Sequence, residues 1–203
     1  MALPAIKMNE RFNYANYCAW PANESWELID GHAWNMAAPG RLHQDVVGEI
    51  YVQIKTALRG HQCAVYIAPF DVRLPEAGQT TDDAIYTVVQ PDVSVFCDRT
   101  KLDDKGACGA PDWIIEVLSS STSIKDHTIK RDLYALHGVA EYWLIHPLDR
   151  ILTIYRRTKS TVGENNVLIF DAPQILAASG ITTAVSIAIA IDWDVVFNEK
   201  ITY

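Results

Sequence analysis

The 203-residue sequence predicts an α/β (α+β) fold in which a mixed β-sheet is flanked by helices. Three observations carry this reading. Apolar residues recur at helical spacing over residues 42–58, while short β-branched or aromatic runs stand on either side. Residues 113–118, WIIEVL, are apolar on both faces except for Glu116, as in a central strand covered on both sides. A helical segment then joins that strand to residues 141–146, EYWLIH, so the two strands should be parallel with a right-handed crossover.

The elements follow in order. Residues 24–36 read as two strands around the Asp30-Gly31 turn, a strong hairpin signal. In the first helix, Val46, Val47, Ile50, Tyr51, Ile54 and Leu58 form the apolar stripe, and Gly60 ends the run. Residues 64–74 and 88–96 are each expected as one strand, separated by the polar loop 75–83. A Gly-containing polar loop leads to the central strand. The second helix spans residues 123–137, closed by Gly138 at the C-cap, and the hydroxyl-rich link 119–123 should cap its start. Strands at 141–146 and 151–157 surround a turn at 147–150. Residues 175–191 are too short and too polar for a membrane span and read as a buried strand, after which Asp192 caps a short final helix.

With 49% hydrophobic and 21% charged residues, the chain has the composition of a folded domain, and one domain over 1–203 is the expectation. A chain of this length buries about 70% of its unfolded surface without needing disulfides or metal. The net charge of -8 and pI of about 5.1 argue against a broad basic face that grips many phosphates. The charge is uneven: residues 98–159 hold 10 Lys+Arg and 9 Asp+Glu, whereas 160–203 hold 1 and 5. A polyanion should therefore approach the middle of the chain. Cys18, Cys63, Cys97 and Cys108 show no paired framework and are expected as free thiols in a reducing cytosol. The N-terminal MALPAIKMNERF lacks an apolar core and cleavage site, so a cytoplasmic location without membrane contact is expected.

The chemistry centres on Glu116. An isolated ionised carboxylate in an apolar strand costs several kcal/mol or more, so it must be neutral, paired or bound to a cation. Asp92 opens a strand whose faces alternate as Asp92, Ser94, Phe96 and Val93, Val95. If the two strands are neighbours, the carboxylates converge. Two carboxylates, a backbone carbonyl and waters would suit Mg2+ or Mn2+. The alternatives remain that Asp92 simply opens its strand after Pro91 and that Glu116 pairs with an Arg or Lys. On the second helix, Asp126, Lys130 and Tyr134 share one stripe, beside Ile129, Leu133 and Leu136, and could instead hold only a surface ion pair. His43 lies near the axis of the first helix's apolar stripe and should point inward, as either a core histidine or a pocket residue. Glu49 lies off that stripe and should be solvated, while Asp71 lies in a strand and could reach the same pocket, although nothing in its spacing says so. A zinc hydrolase using His43, Asp92 and Glu116 is a further alternative. No GxxxxGK[ST], GxGxxG, HExxH or GxSxG occurs, so those chemistries lack their parts.

Taken in order, WELIDGHAWNM, His43 at a helix start, VVQPDVSVF, PDWIIEVLSSST, the D-x3-K-x3-Y of Asp126, Lys130 and Tyr134, and GVAEYWLIHP resemble the Uma-type family of putative restriction endonucleases. That family belongs to the PD-(D/E)xK superfamily of metal-dependent phosphodiesterases. The resemblance covers residues 24–157 and implies a restriction-endonuclease-like core acting on DNA with Mg2+ or Mn2+. It implies Asp92, Glu116 and the backbone of Val117 as metal ligands. The position two after Glu116 is Leu118, so Lys130 on the next helix resembles the migrated lysine of the motif. Asp126 would hold Lys130, and His43 would line the pocket. A homodimer pooling the less acidic middle segments would help grip DNA. The alternative within the same fold is a catalytically silent binding or assembly module.

Overall fold

The computed structural model describes residues 10–21, 23–79, 81–119, 122–162 and 165–197. The N-terminal residues 1–9 and two residues of the capping link, Ser120 and Ser121, lie outside them. The described residues pack as two compact units. The first draws on Met1–Ala38, Phe70–Gln90 and Lys101–Ala110, the second on Pro39–Pro69, Pro91–Thr100 and Pro111–Tyr203. Proline stands at four of the five crossings: Pro39, Pro69, Pro91 and Pro111. This corrects two sequence expectations. Residues 64–74 form two strands, β3 (Ala64–Ile67) and β4 (Val72–Arg73), and residues 88–96 form β5 (Val88–Val89) and β6 (Val93–Phe96). Proline has no N–H to continue a ladder, so each run breaks and its halves join different sheets.

In the first unit, α1 (Tyr14–Tyr17) opens with a reciprocal capping box between Asn13 and Asn16. The expected hairpin is present as β1 (Trp26–Ile29) and β2 (His32–Asn35), with Asp30 and Gly31 both at positive φ, 50° and 77°, as a tight hairpin turn requires. The polar loop after β6 holds a second, unexpected hairpin, β7 (Leu102–Asp103) and β8 (Gly106–Cys108). Only glycine fits at Gly106: its φ is +121°, and a Cβ would stand 2.3 Å from the Asp71 carbonyl oxygen. The sheet runs β2-β1-β5-β4-β8-β7. Its buried Arg73 donates twice to Asp103 at 2.6 Å and once to the Ala107 carbonyl at 3.0 Å. Asp71 accepts from Tyr17 Oη at 2.9 Å and Gln90 at 2.8 Å.

The second unit begins with α2 (Arg41–Ala57), one residue off the expected start and end. Its sheet runs β12-β11-β10-β9-β6-β3, from β9 (Trp113–Val117), β10 (Glu141–His146), β11 (Ile151–Val162) and β12 (Asn165–Phe170), with β13 (Gln174–Ala177) also paired to β11. β9 and β10 are parallel, as the crossover required; the remaining pairs are antiparallel, so the sheet is mixed. Val46, Val47, Ile50 and Ile54 of α2 share one core with Val93, Val95, Trp113, Ile115, Val117 and Trp143. By strand alternation, Ile114 and Glu116 face the other way. That face carries the second helix, which runs as α3 (Ser123–Lys125), a π-helical segment (Asp126–Lys130) and α4 (Arg131–His137), closed by Gly138 at φ 90°. Thr122 makes no side-chain cap; its hydroxyl meets Ser119 Oγ at 3.1 Å, so the expected hydroxyl capping is absent there.

The tail departs from a single buried strand. Turns after β13 and around Ala188 divide it into β13, β14 (Ile181–Ala184) and β15 (Ile189–Asp192), and Ile175 and Ile181 are exposed. Asp192 caps α5 (Trp193–Val196) by accepting from the Asp194 and Val195 N–H groups. No helix among the described residues is long and apolar enough to cross a membrane.

The cysteines require a further correction. Cys63 and Cys97 form a disulfide, while Cys18 and Cys108 are free. Ala64 pairs with Phe96 across β3 and β6, so the next position places Cys63 opposite Cys97. Alkylation of the denatured, unreduced protein should therefore label Cys18 and Cys108 alone, as peptide mass spectrometry would show. Replacing Cys63 and Cys97 by alanine should lower the unfolding free energy by about 4 kcal/mol in denaturant titrations, the entropy that the unfolded chain regains when a loop of 34-residue separation is no longer closed.

Candidate active site

Strand register brings the acids together. β6 and β9 pair Val93 with Ile115 and Ser94 with Ile114, so one further step sets Asp92 opposite Glu116. Opposed residues on antiparallel strands share a face. The Asp92 N–H donates to Glu116 Oε2 at 3.3 Å, and the Val117 N–H donates to Asp92 Oδ2 at 2.7 Å. His43, on the first turn of α2, places Nε2 3.0 Å from the same Oδ2. Neither of these Asp92 side-chain bonds uses Oδ1. The side chains of Asp92 and His43 are each 16% exposed, so this end of the site is half open.

The other end is closed. Lys130 Nζ donates to Glu116 Oε1 at 2.9 Å, and Tyr134 Oη donates to the same oxygen at 3.0 Å. Asp126 Oδ1 stands 3.7 Å from Lys130 Nζ. The Lys130 and Glu116 side chains are only 4% and 6% exposed, so this is a buried ion pair and not the surface pair the helix spacing also allowed. The stripe of Asp126, Lys130 and Tyr134 is buried, but Ile129 and Leu136 beside it are exposed, contrary to the α-helical projection. The π segment is the reason: its wider turn shifts which side chains meet the sheet.

Tyr142 was not anticipated. From β10 its hydroxyl donates to the Asp126 backbone carbonyl at 3.2 Å, and its ring packs edge-on against Tyr134 at 5.0 Å. A fully buried tyrosine on the strand beside Glu116 was visible in EYWLIH, but no spacing rule ties it to the helix. Burial, followed by the negative charges of Glu116 and Asp126, pushes its pKa well up, so it stays protonated as a donor. Glu49 is half-buried on α2, and the structure shows no bond from it to this group. Asp71 belongs to the first unit, in the Tyr17 and Gln90 network.

Burial alone would lower the His43 pKa, but its hydrogen bond with Asp92, the charge of Asp92 and a backbone bond with Val117 raise it overall. Three carboxyl groups thus face one ammonium and one imidazole. Among the described residues, no three His, Cys, Asp or Glu side chains converge as a cation cage. His43, Asp92 and Glu116 therefore do not make the three-ligand set that zinc takes. The demand of Mg2+ is lower, since one or two carboxylates with waters and substrate oxygens suffice. Asp92 and Glu116 fit that donor chemistry.

A mixed sheet carrying facing Asp and Glu, with a lysine delivered to the Glu from the following helix, defines a restriction-endonuclease-like fold. The chain belongs to the Uma2 family, described as "Putative restriction endonuclease", which matches residues 14–190. Among solved structures, it is similar to a putative nuclease belonging to DUF820 from Anabaena variabilis ATCC 29413. That similarity has a TM-score of 0.68 at 19% identity and covers 92% of this chain and 97% of the other. At that identity the likeness concerns the fold. No curated protein matches the chain.

Two outcomes test the site's energetics. Lys130→Met strands a buried carboxylate and should cost about 3 kcal/mol or more in chemical denaturation, whereas Glu116→Gln/Lys130→Met should regain most of that loss. Equal losses in both would show no coupling. Because the His43 pKa is raised above 6.5 in the folded state, its contribution is complete below that value and fades as pH rises through the folded pKa. His43→Gln should therefore flatten the stability profile on the alkaline side of 6.5, as measured by denaturation at a series of pH values.

Proposed function

We propose that the chain is a divalent-cation-dependent endonuclease that hydrolyses DNA phosphodiester bonds. The observation that carries this reading is the facing Asp92 and Glu116 pair with Lys130 buried against Glu116. Membership of a family described as restriction endonucleases supports the same class of substrate. Asp92 and Glu116, with the backbone of Val117, would hold Mg2+ or Mn2+. When bound, such an ion polarises the phosphate and lowers the pKa of water.

The chain's own residues do the rest. Lys130 is positioned by Asp126 at 3.7 Å to orient water or stabilise charge developing on the phosphate. Tyr134 fixes the Glu116 carboxylate, and His43 holds the Asp92 carboxylate at the half-open end. A homodimer would pool the less acidic middle segments against a polyanion.

A second reading, a silent member of the fold that acts as a binding or assembly module, is favoured by one feature. Both Glu116 oxygens already have protein partners, Oε1 with Lys130 and Tyr134 and Oε2 with the Asp92 N–H. Incubating supercoiled and linear DNA with Mg2+ or Mn2+ separates the two. Cleavage by the native chain, reduced about a hundredfold or more in Glu116→Ala and in Lys130→Ala, is the expected result. Cleavage unaltered by either change would remove the site, and absence of cleavage with retained DNA binding would favour the silent module.

A further inference from the structure

The Cys63–Cys97 disulfide has no role in the reading above, and its two halves stand in different surroundings. Cys63 is 3% exposed and shares a core with Ile54, Leu58 and Val65. Cys97 is half-buried and lines a cavity of about 590 Å³ together with Gly60, His61, Gln62, Asp98 and Arg99, all five of them exposed. Cys63 is not among the lining residues. A small molecule in that cavity therefore meets the bond from the Cys97 side.

The two cysteines are also held differently. The Cys97 N–H donates to Asp112 Oδ2 at 2.7 Å, and the Asp112 carbonyl accepts from the Ala140 and Glu141 N–H groups at 3.1 and 3.2 Å. Cys97 is thus anchored where β9 and β10 begin, in the middle of the sheet. Cys63 precedes β3, the end strand of that sheet, which is held there by its pairing with β6. Beside the disulfide, the turn before β3 is joined to the segment after β6 by a bond from Arg99 Nε to the Gln62 carbonyl at 2.6 Å. Opening the disulfide would leave Cys97 in place and remove one of the few ties on the edge strand.

Thiol–disulfide exchange proceeds by attack of a thiolate on one sulfur, and access decides which sulfur is attacked. A thiolate in the cavity would form its bond to Cys97 Sγ as the Cys63–Cys97 bond breaks. The electron pair of the broken bond leaves on Cys63 Sγ, which takes a proton from water. Each product suits its place: a neutral thiol packs in a core as a small apolar group, while a sulfur at an exposed cavity has room for a mixed disulfide. A second thiol, from another molecule or from the other arm of a dithiol, then attacks the reductant's own sulfur and releases Cys97, which is protonated in turn. Over both steps two reductant thiols become one disulfide, and two electrons and two protons pass to the cysteines. A chain of 203 residues does not need a disulfide to fold, so its core can outlast the reduction. We propose that Cys63–Cys97 is a reversible exchange site for low-molecular-weight thiols, attacked at Cys97, whose opening frees the edge strand β3. Such a site would exist whether or not the chain cleaves DNA.

The test uses the full chain after air oxidation. It is incubated in native buffer with reduced glutathione, quenched at intervals with N-ethylmaleimide and digested without reductant for peptide mass spectrometry. Glutathione should appear on Cys97 about tenfold or more in excess of Cys63, with Cys63 carrying the maleimide. The rate should stay level in urea below the unfolding transition, because the folded chain is what reacts. Full reduction with dithiothreitol should then speed hydrogen exchange of the 64–67 amides by about tenfold, while those of 141–146 keep their protection. Equal glutathione on both cysteines, a rate that follows the unfolded fraction, or 64–67 amides that exchange alike in both states would each overturn the proposal. Failure of Cys63 and Cys97 to join on air oxidation would overturn it as well.

Discussion

The structure turns on one buried carboxylate. Glu116 lies in a strand whose five residues are all buried, where an unpaired charge would cost several kcal/mol. Its two oxygens are met from three directions: the Lys130 ammonium, the Tyr134 hydroxyl and the Asp92 N–H. Each partner constrains a different element. Lys130 and Tyr134 bring the helix of residues 123–137 against β9, and Asp92 fixes how β6 meets it. The π segment lets Asp126 and Lys130 be buried together on one turn, and such irregular turns recur at functional sites.

Strand alternation then gives the sheet two kinds of face. Trp113, Ile115 and Val117 enter a core with α2, while Ile114 and Glu116 face the helix that supplies the polar partners. A one-residue slip of β9 would exchange these faces, leaving the carboxylate among Val46, Ile50 and Trp143 without a donor. Strong register on the apolar side therefore holds the polar side in place. A tyrosine ladder across β10 and β11 extends that order sideways, so geometry near Glu116 is transmitted to Tyr155 by packed rings.

Polar groups in the two units are spent differently. In the first, Arg73 is consumed by Asp103 and Ala107, and Asp71 by Tyr17 and Gln90, networks that close on themselves and stabilise a small sheet. Breaking them would leave buried groups unsatisfied, which explains them without chemistry. In the second, Asp92 is bonded to His43 and the Val117 N–H through one oxygen and remains half-buried, while Glu116 and Asp126 stand against the Lys130 ammonium. These groups lie in a sheet of restriction-endonuclease type.

Much of this was legible in the residues. The Asp30-Gly31 hairpin, the stripe of α2, Gly138 at the helix end and the cap of Asp192 are local features, each decided within a few neighbouring residues. So were the apolar context of Glu116 and the alternation that set Asp92 apart from Val93, and the order of these blocks was enough to suggest the family. What local pattern could not decide was pairing between distant segments. That Pro69 and Pro91 divide their runs between two sheets, that Cys63 meets Cys97, that Lys130 is sealed on Glu116 and that Tyr142 braces Asp126 all depend on inter-strand register and on a helical turn wider than the α-helix. Periodicity states which way a side chain points, but only the packed chain determines what stands opposite it.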